Sequence, residues 1–275
     1  MSDITLGDLM DLKEQLQGSG CSGSTIRNTF VSLQAIARRS GAVPVNPTLD
    51  LGLPTAGSRD RAVTPLEALE LLKPLAPFER ALWGTAFYAG LRRGELRALR
   101  NRDLDLAAGT ISVERGWDDK EGPITPKSRA GVRKVFIADS LRPLLELLTG
   151  RYEDPEGLFF GHTAVTAFEP KNTDRKAKAA WKAANDKRID ANLPALVPVT
   201  LHEGRHSFST WLDHAGVSAA RANRYMGHSD GTIQTRYRHQ LPAQLAEDAR
   251  LLDAYLDGAV AGKVVPLGFA VALPR

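Results

Sequence analysis

Cysteine is nearly absent: Cys21 is the single thiol in 275 residues. A lone cysteine excludes an intramolecular disulfide and a thiolate-rich metal site, fits a reducing compartment, and reads as a packing residue. Long hydrophobic runs are also lacking. The opening MSDITLGDLM has no basic region and no extended apolar core, so it does not read as a secretory signal. The most apolar late stretch, Ala259 to Pro274, is broken by Lys263 and Pro266 and falls short of the ~20 residues that span a bilayer. The expectation is a cytoplasmic protein with no membrane segment. No sign of charge dominates either: 36 Lys and Arg face 32 Asp and Glu, a formal net of +4, which permits nucleic acid as a partner without requiring it. Internal repeats and low-complexity tracts are missing, which excludes solenoid architectures. With 43% apolar residues the chain is globular, and at roughly 150 residues per domain its length suggests about two domains.

What is present is mostly helical patterning. Leu6, Leu9, Met10, Leu12 and Leu16 predict a first amphipathic helix; Ile26, Phe30, Leu33, Ile36 and Ala37 predict a second, opened by Ser24 or Thr25 and stopped by Gly41. From Gly41 to Asp60 the periodicity fades and Pro44, Pro47 and Pro54 appear, which reads as an extended linker with a domain boundary near residue 58. Thr64, Pro65 and Glu67 then form a capping-box signature with proline at the first helical position. Helices are expected at 78–89, ended by Gly90, and at 93–99. TISVERGW and VRKVFI, between Thr110 and Ile137, predict a small antiparallel sheet. Helical patterns return at 141–148, 171–188, 201–214, 219–226 and 241–256. The fold class is α+β, mainly helical.

The run His202-Glu203-Gly204-Arg205-His206 matches the H-E-x-x-H pattern of zinc proteases. Against a zinc site, Thr200 and Glu203 form a capping box, which puts His202 in a first turn where the helix dipole opposes a dication. Read for anions instead, the same helix start offers unpaired N–H groups, with His202 and Arg205 on one face, which suits a phosphate. Taken alone, the segment is better accounted for as an ordinary capped helix with exposed polar residues. In AGLRRGELRALR, Arg92 follows a glycine stop and Glu95 lies three residues on, a spacing that lets the carboxylate orient a guanidinium able to grip two phosphate oxygens. An ordinary charged helix start has the same residues. His228 follows Gly227 at a turn, and Tyr237 comes nine residues later. Lys171, Arg175, Lys178 and Lys182 make a basic stripe opposite Ala177, Trp181 and Ala184, which fits either backbone phosphates or solvent.

Order and spacing join these pieces. Arg92, a hairpin lysine, His202 with Arg205, Gly227 with His228, and Tyr237 together resemble the tyrosine recombinase, or phage integrase, family. GELRALRNRDLDL, PKSRAGVRKVFI and HSFSTWL extend the resemblance over roughly residues 59–257. It implies a partial, helical, SAM-like core-DNA-binding domain with its linker over 1–58, a catalytic domain over 59–257 and a carboxy-terminal tail over 258–275. It further implies that Tyr237 attacks the scissile phosphate of double-stranded DNA, holds the 3′ phosphate covalently and releases a 5′ hydroxyl. Arg92 and Arg205 would clamp the nonbridging oxygens, His228 would add a hydrogen bond and His202 would help the phenol lose its proton. Lys127 would protonate the leaving oxygen, with Lys120 and Lys134 as competitors. Glu95 would support Arg92, and Arg93, Arg129 and the basic stripe would meet DNA.

The resemblance implies no cofactor: neither metal nor ATP is needed, because the phosphotyrosine conserves the phosphodiester energy. It implies a homo-tetramer on paired sites, accessory DNA-bending or directionality proteins, and integration or excision of a prophage or other mobile element. The stripe Leu245, Ala249, Leu252 and Leu256 reads either as packing on its own domain or as docking on a neighbouring protomer. Two departures stand out. Gly204 occupies a position where the family more often has an apolar residue, with an expected looser first turn. About 58 residues precede the catalytic domain, room for two or three helices where the family usually has a four-helix clamp, which predicts weak DNA binding with a flat salt dependence. A DNA-binding protein that occupies recombination sites without productive catalysis is the alternative reading, and the zinc protease the remote one.

Overall fold

The computed structural model describes residues 5–40, 51–54, 61–126, 129–228 and 241–262, the side chains of 37, 38, 40 and 129 excepted. The chain divides into two compact units, 1–59 and 60–275.

In the first unit, α1 (Leu6–Gly18) opens at Thr5, whose hydroxyl accepts the Asp8 N–H while the Asp8 carboxylate accepts the Thr5 N–H at 2.8 Å. The second helix, α2 (Gly23–Ser40), is capped by Ser22, whose Oγ accepts the Thr25 N–H at 3.2 Å, in place of the expected Ser24 or Thr25. Its expected stop, Gly41, lies outside the described residues. Leu9, Ile26, Phe30 and Leu51 form the buried core, with Cys21 packed beside them. Leu6, Met10 and Ile36 are exposed, so the buried stripe is narrower than the sequence pattern. Residues 51–54 are tied down where linker was expected: the Lys13 ammonium donates to the carbonyls of Leu51 and Gly52.

The second unit begins with α3 (Pro65–Leu72) and α4 (Pro77–Ala89). Only half of the expected capping box forms at α3: Thr64 accepts the Glu67 N–H, but the Glu67 carboxylate pairs with Arg61. From Ala81 to Ala89 α4 is buried on every face, and Gly90 ends it at φ +63°, where a Cβ would overlap the Phe208 ring. A short α5 (Arg93–Ala98) follows. Two small sheets replace the single one expected. Strands β1 (Leu104–Asp105), β2 (Thr110–Val113) and β5 (Arg133–Phe136) form an antiparallel sheet in the order β1-β2-β5, while β3 (Gly116–Asp118) and β4 (Gly122–Ile124) make a separate hairpin.

Helices α6 (Arg142–Glu146), α7 (Pro170–Asp190), α8 (Leu201–His214), α9 (Ala219–Met226) and α10 (Pro242–Val260) complete the described elements. α6 is shorter than expected, and α10 continues past residue 257, where the tail was placed. The core closes around α4. Trp83 meets Trp181 edge to face and Phe87 stacks on Trp211. Each of these three indoles donates to a backbone carbonyl, of Val199, Leu71 and Val63 respectively, so burial of large aromatics leaves no indole N–H unsatisfied. Gly204 lets α8 approach α4: a Cβ there would lie 3.2 Å from the Ala86 Cβ. The glycine therefore serves close packing. Leu245, Leu252 and Leu256 of α10 sit in the core of their own unit, with Ala249 packed against it. α10 is pinned to α9 where the Tyr225 hydroxyl donates to the fully buried Asp248 at 2.5 Å.

Candidate active site

Glu95 stands at the centre of a cluster drawn from α5, β5, α8 and the end of α9. Its position three residues after Arg92 makes it the reciprocal cap of α5, and its carboxylate accepts the Arg92 N–H at 2.7 Å and the Arg92 Nη1 at 2.9 Å. Both Glu95 oxygens also accept from Arg133, Nη1 to Oε1 and Nη2 to Oε2, at 2.9 Å each. The Arg205 Nη1 lies 3.8 Å from Oε2. Among the described residues, Glu95 is the only carboxylate ion-paired with any of the three arginines, so two positive charges are left unbalanced there.

Electrostatics follows from that crowding. Burial pushes the Glu95 carboxyl up, but the hydrogen bonds and charge of Arg133, the Arg92 N–H and the charge of Arg205 outweigh it and hold the group down at about 2. Burial, then the like charge of Arg92, presses the Arg205 guanidinium down to about 9 against the pull of Glu95, a value still above neutral pH, so the group keeps its charge there. A cation held at such electrostatic cost, beside a second one, is stabilised by an arriving anion.

The two arginines differ in access. Arg205 is buried and donates to the carbonyls of Gly90 and Met226. The Arg92 side chain is 41% exposed and donates to the Gly227 carbonyl at 3.3 Å. Both therefore grip the turn that ends α9. There the His228 N–H reaches the Asn223 carbonyl and the Gly227 N–H the Arg224 carbonyl, the double bond pattern of a Schellman motif, with Gly227 left-handed at φ +59°. A Cβ on Gly227 would lie 3.0 Å from Arg133 Nη1 and 3.2 Å from Arg92 Nη1. His228 leaves this turn exposed. A cleft of about 370 Å³ opens beside Arg92, lined also by Gly94, Arg115, Trp117, Thr125 and Gly227.

His202 is exposed on the first turn of α8, one turn before Arg205. The Glu203 carboxylate accepts the Thr200 N–H and hydroxyl at 2.7 and 2.8 Å, so the capping role read from the sequence is filled. Among the described residues no group of three His, Cys, Asp or Glu side chains is placed to hold a metal, which leaves the zinc-protease pattern without a third ligand there. Lys127 and Tyr237 lie outside the described residues. The described hairpin pairs β4 with β3 and ends at Ile124, before Lys127 in the sequence, and Lys120 sits in its turn. Lys134 is exposed on β5. Arg93 is exposed at the start of α5. Lys171, Arg175, Lys178 and Lys182 share the exposed face of α7, opposite buried Ala177 and Trp181.

Arg133 was not singled out by sequence reasoning. The signal was the strand alternation: Arg133 and Val135 face inward while Val132 and Lys134 face out, and a charge on the inward parity of a strand demands a partner.

The phage integrase family model matches residues 61–244. The ICEBs1 integrase of Bacillus subtilis (strain 168) is 27% identical over 92% of this chain and 72% of its own length; several prophage integrases also match, over less than half of their length. Among solved structures, the Tn1549 transposon integrase in complex with a circular intermediate DNA superposes with a TM-score of 0.71 at 20% identity, over 90% of this chain and 84% of that one. A lambda integrase tetramer bound to a Holliday junction superposes with a TM-score of 0.55 at 18% identity, over 85% of this chain and 66% of that one. At these identities the likeness is one of fold.

Proposed function

The chain belongs to the phage integrase family of site-specific DNA recombinases, and on that premise we propose that it cuts and rejoins double-stranded DNA with Tyr237 as nucleophile and Arg92 and Arg205 as the phosphate clamp. The observation that carries this reading is the convergence of guanidinium groups on Glu95, beside the turn that bears His228. Phosphoryl transfer builds negative charge on the nonbridging oxygens, and fixed cations that need no reorganisation stabilise it.

In the proposed step the Tyr237 phenolate forms a bond to phosphorus as the bond to the 5′ oxygen breaks. A phenol with a pKa near ~10 is protonated at neutral pH and needs a base; His202 serves that role. Lys127 gives a proton to the departing 5′ oxygen, and His228 donates to a nonbridging oxygen. Rejoining runs the step in reverse with a new 5′ hydroxyl. Arg93, Arg129 and the exposed basic face of α7 meet backbone phosphates. The biological event is integration or excision of a prophage or other mobile element, carried out in the cytoplasm by a tetramer on paired sites with accessory DNA-bending or directionality proteins. The DNA-bound and tetrameric states of the fold relatives support this reading.

The test uses a nicked suicide duplex from the DNA flanking the gene, incubated with the protein in EDTA. A denaturation-resistant protein–DNA adduct is expected from the wild type and not from Tyr237→Phe. A duplex that is bound but never joined to protein would instead favour a protein that occupies recombination sites without cutting them.

A further inference from the structure

We infer that Arg133 is a positioning residue for strand cleavage: it holds in register the carboxylate that aims Arg92 and Arg205 and the α9 turn that presents His228. The inference rests on the functional reading above, and deepens it with a residue that touches no DNA.

All three nitrogens of the Arg133 guanidinium are engaged inside the protein, and together they reach three parts of the site. Nη1 and Nη2 grip both oxygens of Glu95 at 2.9 Å, and Glu95 in turn caps α5 and binds Arg92. Nε donates at 2.6 Å to the carbonyl of Tyr225, in the last turn of α9. Nη1 also donates at 3.2 Å to the carbonyl of Gly131, just before β5. With 7% of its surface exposed, Arg133 has no face for a DNA phosphate.

Stability alone does not account for this arrangement. A buried ion pair replaced by well-packed apolar groups of similar volume is often no less stable, since both ions lose hydration. Val135, two residues along the same strand face, shows what an apolar occupant looks like there: it is fully buried in the core. What a planar, two-pronged guanidinium supplies and a hydrocarbon cannot is direction, since it fixes the plane and distance of the Glu95 carboxylate. Arg92 takes its aim from that carboxylate. The Met226 and Gly227 carbonyls, which receive Arg205 and Arg92, follow directly after the Tyr225 carbonyl that Arg133 holds. A misplacement of ~1 Å in such a constellation costs on the order of 100-fold in rate.

The experiment compares wild type, Arg133→Lys and the double variant Glu95→Gln/Arg133→Met in single-turnover cleavage of the nicked flanking duplex. A second duplex carries a neutral methylphosphonate at the scissile position. Arg133→Lys keeps the charge but loses the fork; the double variant removes Arg133 together with the carboxylate it holds and leaves Arg92 and Arg205 without Glu95, and thermal denaturation verifies which of the two remains folded. The expected result is a 10- to 100-fold slower adduct formation on the phosphate substrate, duplex affinity within about threefold of wild type, and a defect that shrinks to within about threefold on the methylphosphonate, where there is no charge for the arginines to neutralise. Equal losses on both substrates, or a phosphate rate within threefold of wild type, overturn the inference and leave the functional reading standing. No adduct from the wild type on either duplex overturns both.

Discussion

At Glu95 a single carboxylate faces three guanidinium groups, and their hydrogen bonds and charge outweigh burial and draw its pKa down. Its folded value of about 2 lies below the ordinary 4.5. A depressed acid contributes stability that is complete above its unfolded value and is lost as pH falls through the folded one. Between pH 4.5 and 2 the protein is therefore expected to lose on the order of 3 kcal/mol through this residue, read by urea unfolding, and Glu95→Gln should flatten the slope in that window. Gly227 offers a second test. Gly227→Ala combines a left-handed backbone with a Cβ set 3.0 Å from Arg133 Nη1 and 3.1 Å from the Ala130 carbonyl. Gly150→Ala, at φ +80° with nothing within 4 Å, carries the backbone strain alone, about 1–2 kcal/mol. The expected extra destabilisation and loss of cleavage in Gly227→Ala measure the close approach; equal effects at the two glycines would show that the arginines simply move aside.

Among the elements, those with strong periodicity and clear caps were legible: α8 and α9 begin and end where the sequence places them, and α4 stops at Gly90. The small strands were read less well. β1 and β4 have two and three residues, too few for a period-two pattern to emerge, and β3 and β4 form a hairpin apart from the main sheet because tertiary packing on α5 decides their pairing. Within the site, the local caps of Arg92, Glu95 and Arg205 read alone as ordinary helix starts, and it was their order and spacing with the other family-like residues that singled them out. Arg133 was not legible, because its partner lies 38 residues away and only the inward parity of β5 hints at it. The exposed face of α7 is a further case, since sequence and structure both leave it open to phosphate or solvent. If Lys171, Arg175, Lys178 and Lys182 each meet a phosphate, replacing all four with glutamine should flatten the salt dependence of duplex binding by up to about 0.9 log units per residue. An unchanged slope would assign that face to water.

For the whole molecule, the division into two units sets what each spectroscopic probe reports. All four tryptophans and all five tyrosines lie beyond residue 59, while the core of the first unit has four buried residues among those described, Phe30 being one of them. Phe30→Ala removes about 3–5 kcal/mol of packing from a unit too small to tolerate it. The expected outcome is loss of helical circular dichroism at a temperature where tryptophan fluorescence still reports an intact second unit; simultaneous loss of both signals would show that the units unfold together. The same long-range construction governs how the protein is made. Glu95 and Arg133 leave the ribosome well before Arg205 and the α9 carbonyls, and at 5–20 residues per second the delay between them is on the order of several seconds. During that interval the nascent chain holds one arginine pair and no closed clamp. On the proposed reading, a growing integrase emerging beside its own gene is thus unarmed until α8, α9 and the segment bearing Tyr237 have all been synthesised.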